Sequence, residues 1–151
     1  MRILESGEDY LEAVLILNER KQEVRSVDIA AKLGVSKASV CVAMKNLQNG
    51  GYIQMDSHHA IFLTEKGREI AMRVYERHLV FSKMLVSLGV ERETASRDAC
   101  RMEHAVSEKS FLAIKNYLIQ NGMDVSYEKW YASEAKENRS GRECQIGKAA
   151  D

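Results

Sequence analysis

The sequence contains no proline. Proline breaks helix interiors by removing an N–H donor and clashing with the preceding turn, so long helices are permitted almost anywhere along this chain. Cysteine is scarce too: Cys41, Cys100 and Cys144 have no paired spacing. They read as free thiols and exclude a disulfide framework. No apolar run approaches the ~18 residues that a membrane-spanning helix requires. The start, MRILESGEDYLEAV, is acidic and lacks the apolar stretch of a signal peptide. These absences predict a cytoplasmic protein. Net charge is also missing, with 22 Lys and Arg against 22 Asp and Glu, which makes no overall case for a nucleic-acid partner.

The neutral sum hides an asymmetry. Residues 1–19 carry Arg2 against Glu5, Glu8, Asp9, Glu12 and Glu19. Residues 20–46 carry Arg20, Lys21, Arg25, Lys32, Lys37 and Lys45 against Glu23 and Asp28. An acidic start therefore adjoins a basic segment. With 151 residues, 45% apolar and 29% charged, the chain is expected to fold as one medium domain or two small ones sharing an interface.

Apolar spacing predicts a helix over residues 5 to about 19, with Leu11, Val14 and Leu15 on one face. SVDIAAKLG reads as a second helix, capped by Ser26 and ended by Gly34, with Ile29, Ala30 and Leu33 inward. Ser36 caps a third, KASVCVAMKNLQNG, with Val40, Met44 and Leu47 on one face. YIQMD and AIFLT alternate like strands, so Tyr52–Thr64 should be a small hairpin with His58 and His59 at its tip. Thr64 then caps a long helix closed by Gly89; Gly67 near its start is tolerated. A further helix, in one or two parts, spans VERETASRDACRMEHAVS, and Ser107 caps the last, EKSFLAIKNYLIQNG, whose Glu108 and Lys109 read as a solvated face. The polar end, KENRSGRECQIGKAAD, is expected to have low order.

Two short helices joined by a tight turn, followed by a hairpin, describe a winged helix-turn-helix. Small residues at the start of the second helix, Ser36, Ala38 and Ser39, let it approach base edges. Arg25, Lys37 and Lys45 can meet phosphates. No Arg, Gln or Asn precedes Asn46 on this helix. Bidentate base reading should be sparse, leaving shape, methyl contacts and phosphate register to carry specificity.

A second constellation is metal-like. Cys100, Glu103 and His104 stand at i, i+3 and i+4, on one helical face. Asp9 and Glu12 repeat the i, i+3 spacing, and His78 lies in the long helix. Six donors on three helices converge if the long helix packs against the other two. Such a set suits Mn(II), Fe(II) or Zn(II), and the thiolate favours the softer Fe or Zn. Each donor also has a structural reading: Cys100 as a small buried residue, Glu103 and His78 as surface, Asp9 and Glu12 as first-turn acids favouring the helix dipole.

In order and spacing, EDYLEAVLIL, SVDIAAKLGVSKASV, GYI, LTEKGREIA, RH and DACRMEH resemble the diphtheria-toxin-repressor family of metal-dependent transcriptional regulators, most of all its short, two-domain manganese-transport-regulator branch. The resemblance runs from about Glu8 to Gly122. It implies a mainly α fold: a winged helix-turn-helix with a hairpin wing in residues 1–64, then a long connecting helix and an all-helical metal-binding and dimerisation domain in 65–122, with 123–151 a C-terminal segment. It implies metal ligands at Asp9, Glu12, His78, Cys100, Glu103 and His104. Asp9 matches the manganese branch, and Cys100 matches the iron-type members. Ser82 and Ser96 stand where iron-type members hold ancillary-site ligands, so that site is expected to be absent in its usual form. Val42 stands where those members use glutamine on DNA.

The implied function is a Mn(II)- or Fe(II)-sensing repressor of metal-uptake genes, acting as a homodimer on a palindromic duplex operator; Zn(II) is an ion that purified or crystallised protein would take up. A dimer surface is expected at Leu85, Leu88, Phe111, Leu112 and Leu118, an apolar set that also reads as core. The alternative is a winged-helix regulator unresponsive to metal, with Cys100 structural or redox-active. A metal enzyme is disfavoured because six donors would saturate the ion and no separate base is visible.

Overall fold

The computed structural model describes residues 4–126. The elements are α1 (Glu5–Arg20), α2 (Ser26–Leu33), α3 (Lys37–Asn49), β1 (Ile53–Met55), β2 (Ile61–Leu63), α4 (Glu65–Ser87), α5 (Arg92–Ala105) and α6 (Glu108–Gln120). The architecture is mainly α, a helix-turn-helix with a hairpin wing followed by a long helix and a helical unit. The expected tail, with Cys144, lies outside the described residues. Among those residues, no helix is long and apolar enough to cross a membrane.

The chain divides into two compact units, and the division falls inside α4, between Val74 and Tyr75. In the first unit α1 buries Leu11, Val14 and Leu15, as its spacing predicts, together with Ala13. The cap of α2 differs from expectation. Ser26 is its first helical residue, and Arg25 is the cap. The backbone N–H of Arg25 donates to Asp28 Oδ2 at 2.8 Å, and the Lys21 ammonium reaches Oδ1 of the same carboxylate at 2.9 Å. Asp28 thus satisfies an exposed donor at the positive end of the helix. Gly34 ends α2 in the left-handed region, φ 65°.

Ser36 caps α3 by accepting the Ser39 N–H at 3.1 Å, and Val40, Met44 and Leu47 are buried. The strands pair antiparallel, Ile53 opposite Leu63 and Met55 opposite Ile61. Ile53 and Ile61 point inward while Gln54 and Phe62 face out. The Ile61 N–H donates to the Val24 carbonyl at 2.7 Å, tying the chain before α2 to the wing. At the tip, the Asp56 carboxylate accepts the N–H groups of His58 and Ala60.

Thr64 caps α4, accepting the Gly67 N–H at 3.2 Å and donating to the Gly51 carbonyl at 2.7 Å. Gly67 is required rather than tolerated: a Cβ there would lie 2.0 Å from the Tyr52 carbonyl oxygen. The close approach of helix to backbone leaves no room for a side chain. Ala71 and Val74 continue the buried face of this unit.

In the second unit Val80, Phe81, Ala99, Phe111, Leu118 and Val125 form a core, with Met84, Met102 and Ile114 packed against it. Phe81 and Phe111 meet edge to face, centroids 5.8 Å apart. The fifth helix is unbroken, and Ser107 caps α6 by accepting the Ser110 N–H at 3.2 Å. Two members of the apolar set expected at a dimer surface or in the core belong to this core. Phe111 and Leu118 are only 2% and 4% exposed because they fill the centre of their own unit. Leu88 and Leu112 are exposed, and Leu85 is half-buried.

Candidate metal centre and nucleic-acid interface

The second unit brings four of the six expected metal donors together. His78 projects from α4, and Cys100, Glu103 and His104 project from one face of α5. His78 Nδ1 lies 3.1 Å from Glu103 Oε2 and 3.5 Å from Cys100 Sγ. His78, Cys100 and Glu103 each offer a ligand atom, all within 4.8 Å of one another. His104 Nε2 lies 3.2 Å from Glu103 Oε1. His78 and Glu103, read above as surface under the structural alternative, are both buried, while Cys100 is half-buried.

Glu103 is the centre of this group. Its side chain is fully buried, and Oε1 has no aligned hydrogen-bond partner. The His104 contact to that oxygen is close in distance but lacks hydrogen-bond geometry. A buried acceptor left unmatched costs about 1–3 kcal/mol, more when charged. Imidazoles, a thiol and a carboxylate with an unsatisfied oxygen are the donors a transition-metal ion requires, so the residues present fit such an ion.

Arg77 holds this arrangement in place, a role its sequence position did not reveal. Its guanidinium donates to the carbonyls of Glu103 at 3.0 Å and Val106 at 2.6 Å, and to the Glu108 carboxylate at 2.8 Å. It also stacks over the Phe111 ring, 5.0 Å from the centroid. The end of α5 is thereby fastened to α4 beside His78. Glu108 is exposed, as expected, but it is paired rather than merely solvated. The Arg-His pair at 77–78 was the available signal: adjacent residues on a buried helix, one to bind carbonyls and one to present a ring. Ser96, expected only as a lost ancillary ligand, lies with its Oγ 3.5 Å from His78 Nε2.

The remaining two donors belong to the winged-helix unit. Asp9 and Glu12 lie one turn apart on α1, both half-buried. Neighbouring Glu8 pairs with Arg73 at 3.7 Å.

The expected DNA-contacting residues Arg25, Ser36, Lys37, Ala38, Ser39, Val42 and Lys45 are all exposed. Six of them lie on or immediately before α3, and Ala38, Val42 and Lys45 stand opposite its buried face. Arg25 caps α2 and pairs with Glu23 at 3.4 Å. The hydroxyls of Ser36 and Ser39 are bonded to each other at 2.8 Å.

Comparison with known proteins agrees with this anatomy. Residues 2–61 match the iron dependent repressor N-terminal DNA binding domain. Residues 64–124 match the iron dependent repressor metal binding and dimerisation domain. The transcriptional regulator MntR of Salmonella typhimurium is 40% identical over 115 residues, 76% of this chain and 73% of that protein. A manganese-dependent transcriptional repressor solved in complex with manganese superposes with a TM-score of 0.66 at 28% identity, over 74% of this chain and 52% of that one. ScaR solved with bound Zn2+ gives a TM-score of 0.61 at 25% identity, over 74% of this chain and 53% of its own. The chain therefore spans about half the length of these solved relatives.

Proposed function

Because the chain belongs to the diphtheria-toxin-repressor family of metal-dependent transcriptional regulators, we propose that it is a metal-sensing repressor that binds a palindromic operator as a homodimer. Members of this family are DNA-binding regulators, not enzymes. The observation that carries the metal half of this reading is Glu103, a fully buried carboxylate with one unmatched oxygen beside two imidazoles and a thiol.

A bound divalent cation would supply the compact positive charge that this carboxylate lacks. Glu103, His78, Cys100 and His104 would hold it from the second unit, with Asp9 and Glu12 of α1 completing the set. Carboxylates favour Mn(II), whereas the thiol and imidazoles favour Fe(II) or Zn(II). We assign Mn(II) or Fe(II) as the effector and Zn(II) as an ion the purified protein takes up. Arg77 keeps Glu103 and His78 in register throughout. Asp9 and Glu12 couple the site to α1, and so to the exposed face of α3. Metal and operator then each raise the other's affinity by the same factor. Control of metal-uptake genes is the use that the family resemblance suggests for such a switch.

The test is operator affinity measured anaerobically on metal-free protein, then with Mn(II) and with Fe(II). A gain with at least one ion is expected. Equal affinity in all three conditions would sink the metal-sensing reading.

A further inference from the structure

The solvent face of α3 is not polar in its middle. Ala38, Cys41, Val42 and Lys45 stand at i, i+3, i+4 and i+7, all exposed on one stripe opposite Val40, Met44 and Leu47. Val42 is 63% exposed. An apolar, β-branched side chain there gains nothing from the core and slightly disfavours the helix. Its neighbours leave few polar alternatives for reading bases. Ser36 and Ser39 spend hydroxyl capacity on each other and on the cap. The first amide on the helix, Asn46, is a turn further from the N-terminal end, which is the part of a recognition helix that meets base edges. Lys37 and Lys45 flank the apolar patch at either end, which suits a polyanion rather than an apolar protein surface.

The thymine 5-methyl is the one apolar group that base edges present in the major groove. We propose that Val42 is a specificity-determining residue that packs on a thymine methyl in each half-site, so that this helix selects thymine by apolar contact. The inference rests on the operator-binding reading above. Lys37 and Lys45 contact the phosphates on either side and fix the register of the valine.

The test begins with selection of binding sequences from a random duplex pool by the metal-loaded full chain. Each thymine of the selected duplex is then replaced in turn by deoxyuridine, which removes only the methyl. One thymine per half-site should show roughly fourfold weaker binding for each methyl lost. The V42A protein should bind the parent duplex correspondingly less well and be indifferent to that replacement. Val42 is outside the core, so this variant is expected to fold, and its thermal melt checks that. A selected duplex in which no thymine is coupled to Val42 overturns the proposal. Recovery of no duplex removes operator binding itself, and this inference with it.

Discussion

The two units bury different chemistry. In the winged-helix unit the buried side chains are apolar apart from Tyr52, and Gly67 lies where a Cβ would meet the Tyr52 backbone. In the second unit Arg77, His78, Ser82 and Glu103 are all buried beside an apolar core. An apolar core closed by caps is complete once folded. A core that encloses a carboxylate with an unmatched oxygen gains from an added cation. The difference separates a unit built to hold a helix steady from a unit built to respond.

The largest effect should come from neutralising the responsive unit. Glu103→Gln keeps the shape and removes the charge. Loss of even an outer-shell partner lowers metal affinity about 10–100-fold, so this substitution should cost at least about a hundredfold. The melting temperature of the metal-free protein should move far less. Anaerobic calorimetric titration and thermal melts measure the two. Retained metal affinity would mean that Glu103 is not the centre of the site, and the contrast between the units would collapse.

A smaller but clear effect is expected at Gly67 in the first unit. In Gly67→Ala the new methyl would sit against the Tyr52 carbonyl, and backbone cannot rotate away as a side chain does. Overpacking of this kind costs about 1–3 kcal/mol, and the upper part of that range applies here. Denaturant unfolding of the metal-free protein reads it. Wild-type stability in this variant would show that α4 can slide off Tyr52.

These residues also mark where the sequence was legible. Ser36, Thr64 and Ser107 were readable as caps because a cap acts within three residues. The buried faces of α1 and α3 were readable because helical spacing repeats. The i, i+3, i+4 grouping of Cys100, Glu103 and His104 was readable for the same reason. The constraint on Gly67 is not legible locally, because it comes from Tyr52, far away in the chain. Phe111 and Leu118 read equally as dimer surface or core, because periodicity shows that a face is apolar, not what covers it. The role of Arg77 is not legible in the sequence, because its partners, the carbonyls of Glu103 and Val106, exist as a site only after α5 packs on α4.

The smallest expected effect separates the units by pH. Burial pushes the Asp28 carboxyl up, but the Arg25 N–H and the Lys21 ammonium together outweigh it and hold the group below its ordinary value. A carboxyl depressed on folding contributes stability fully above its unfolded pKa, about 3.9. That contribution fades as pH falls through the folded value. Asp28→Ala should therefore cost about 1 kcal/mol at neutral pH, the usual worth of a capping interaction. The gap between variant and wild type should narrow steadily below about pH 4, because protonation strips the wild-type carboxylate of what alanine never had. Paired urea unfolding curves from neutral to acid pH follow it. A gap that stayed constant into strong acid would mean that Asp28 stabilises α2 by packing and not by charge, and that the winged-helix unit is anchored by its apolar core alone.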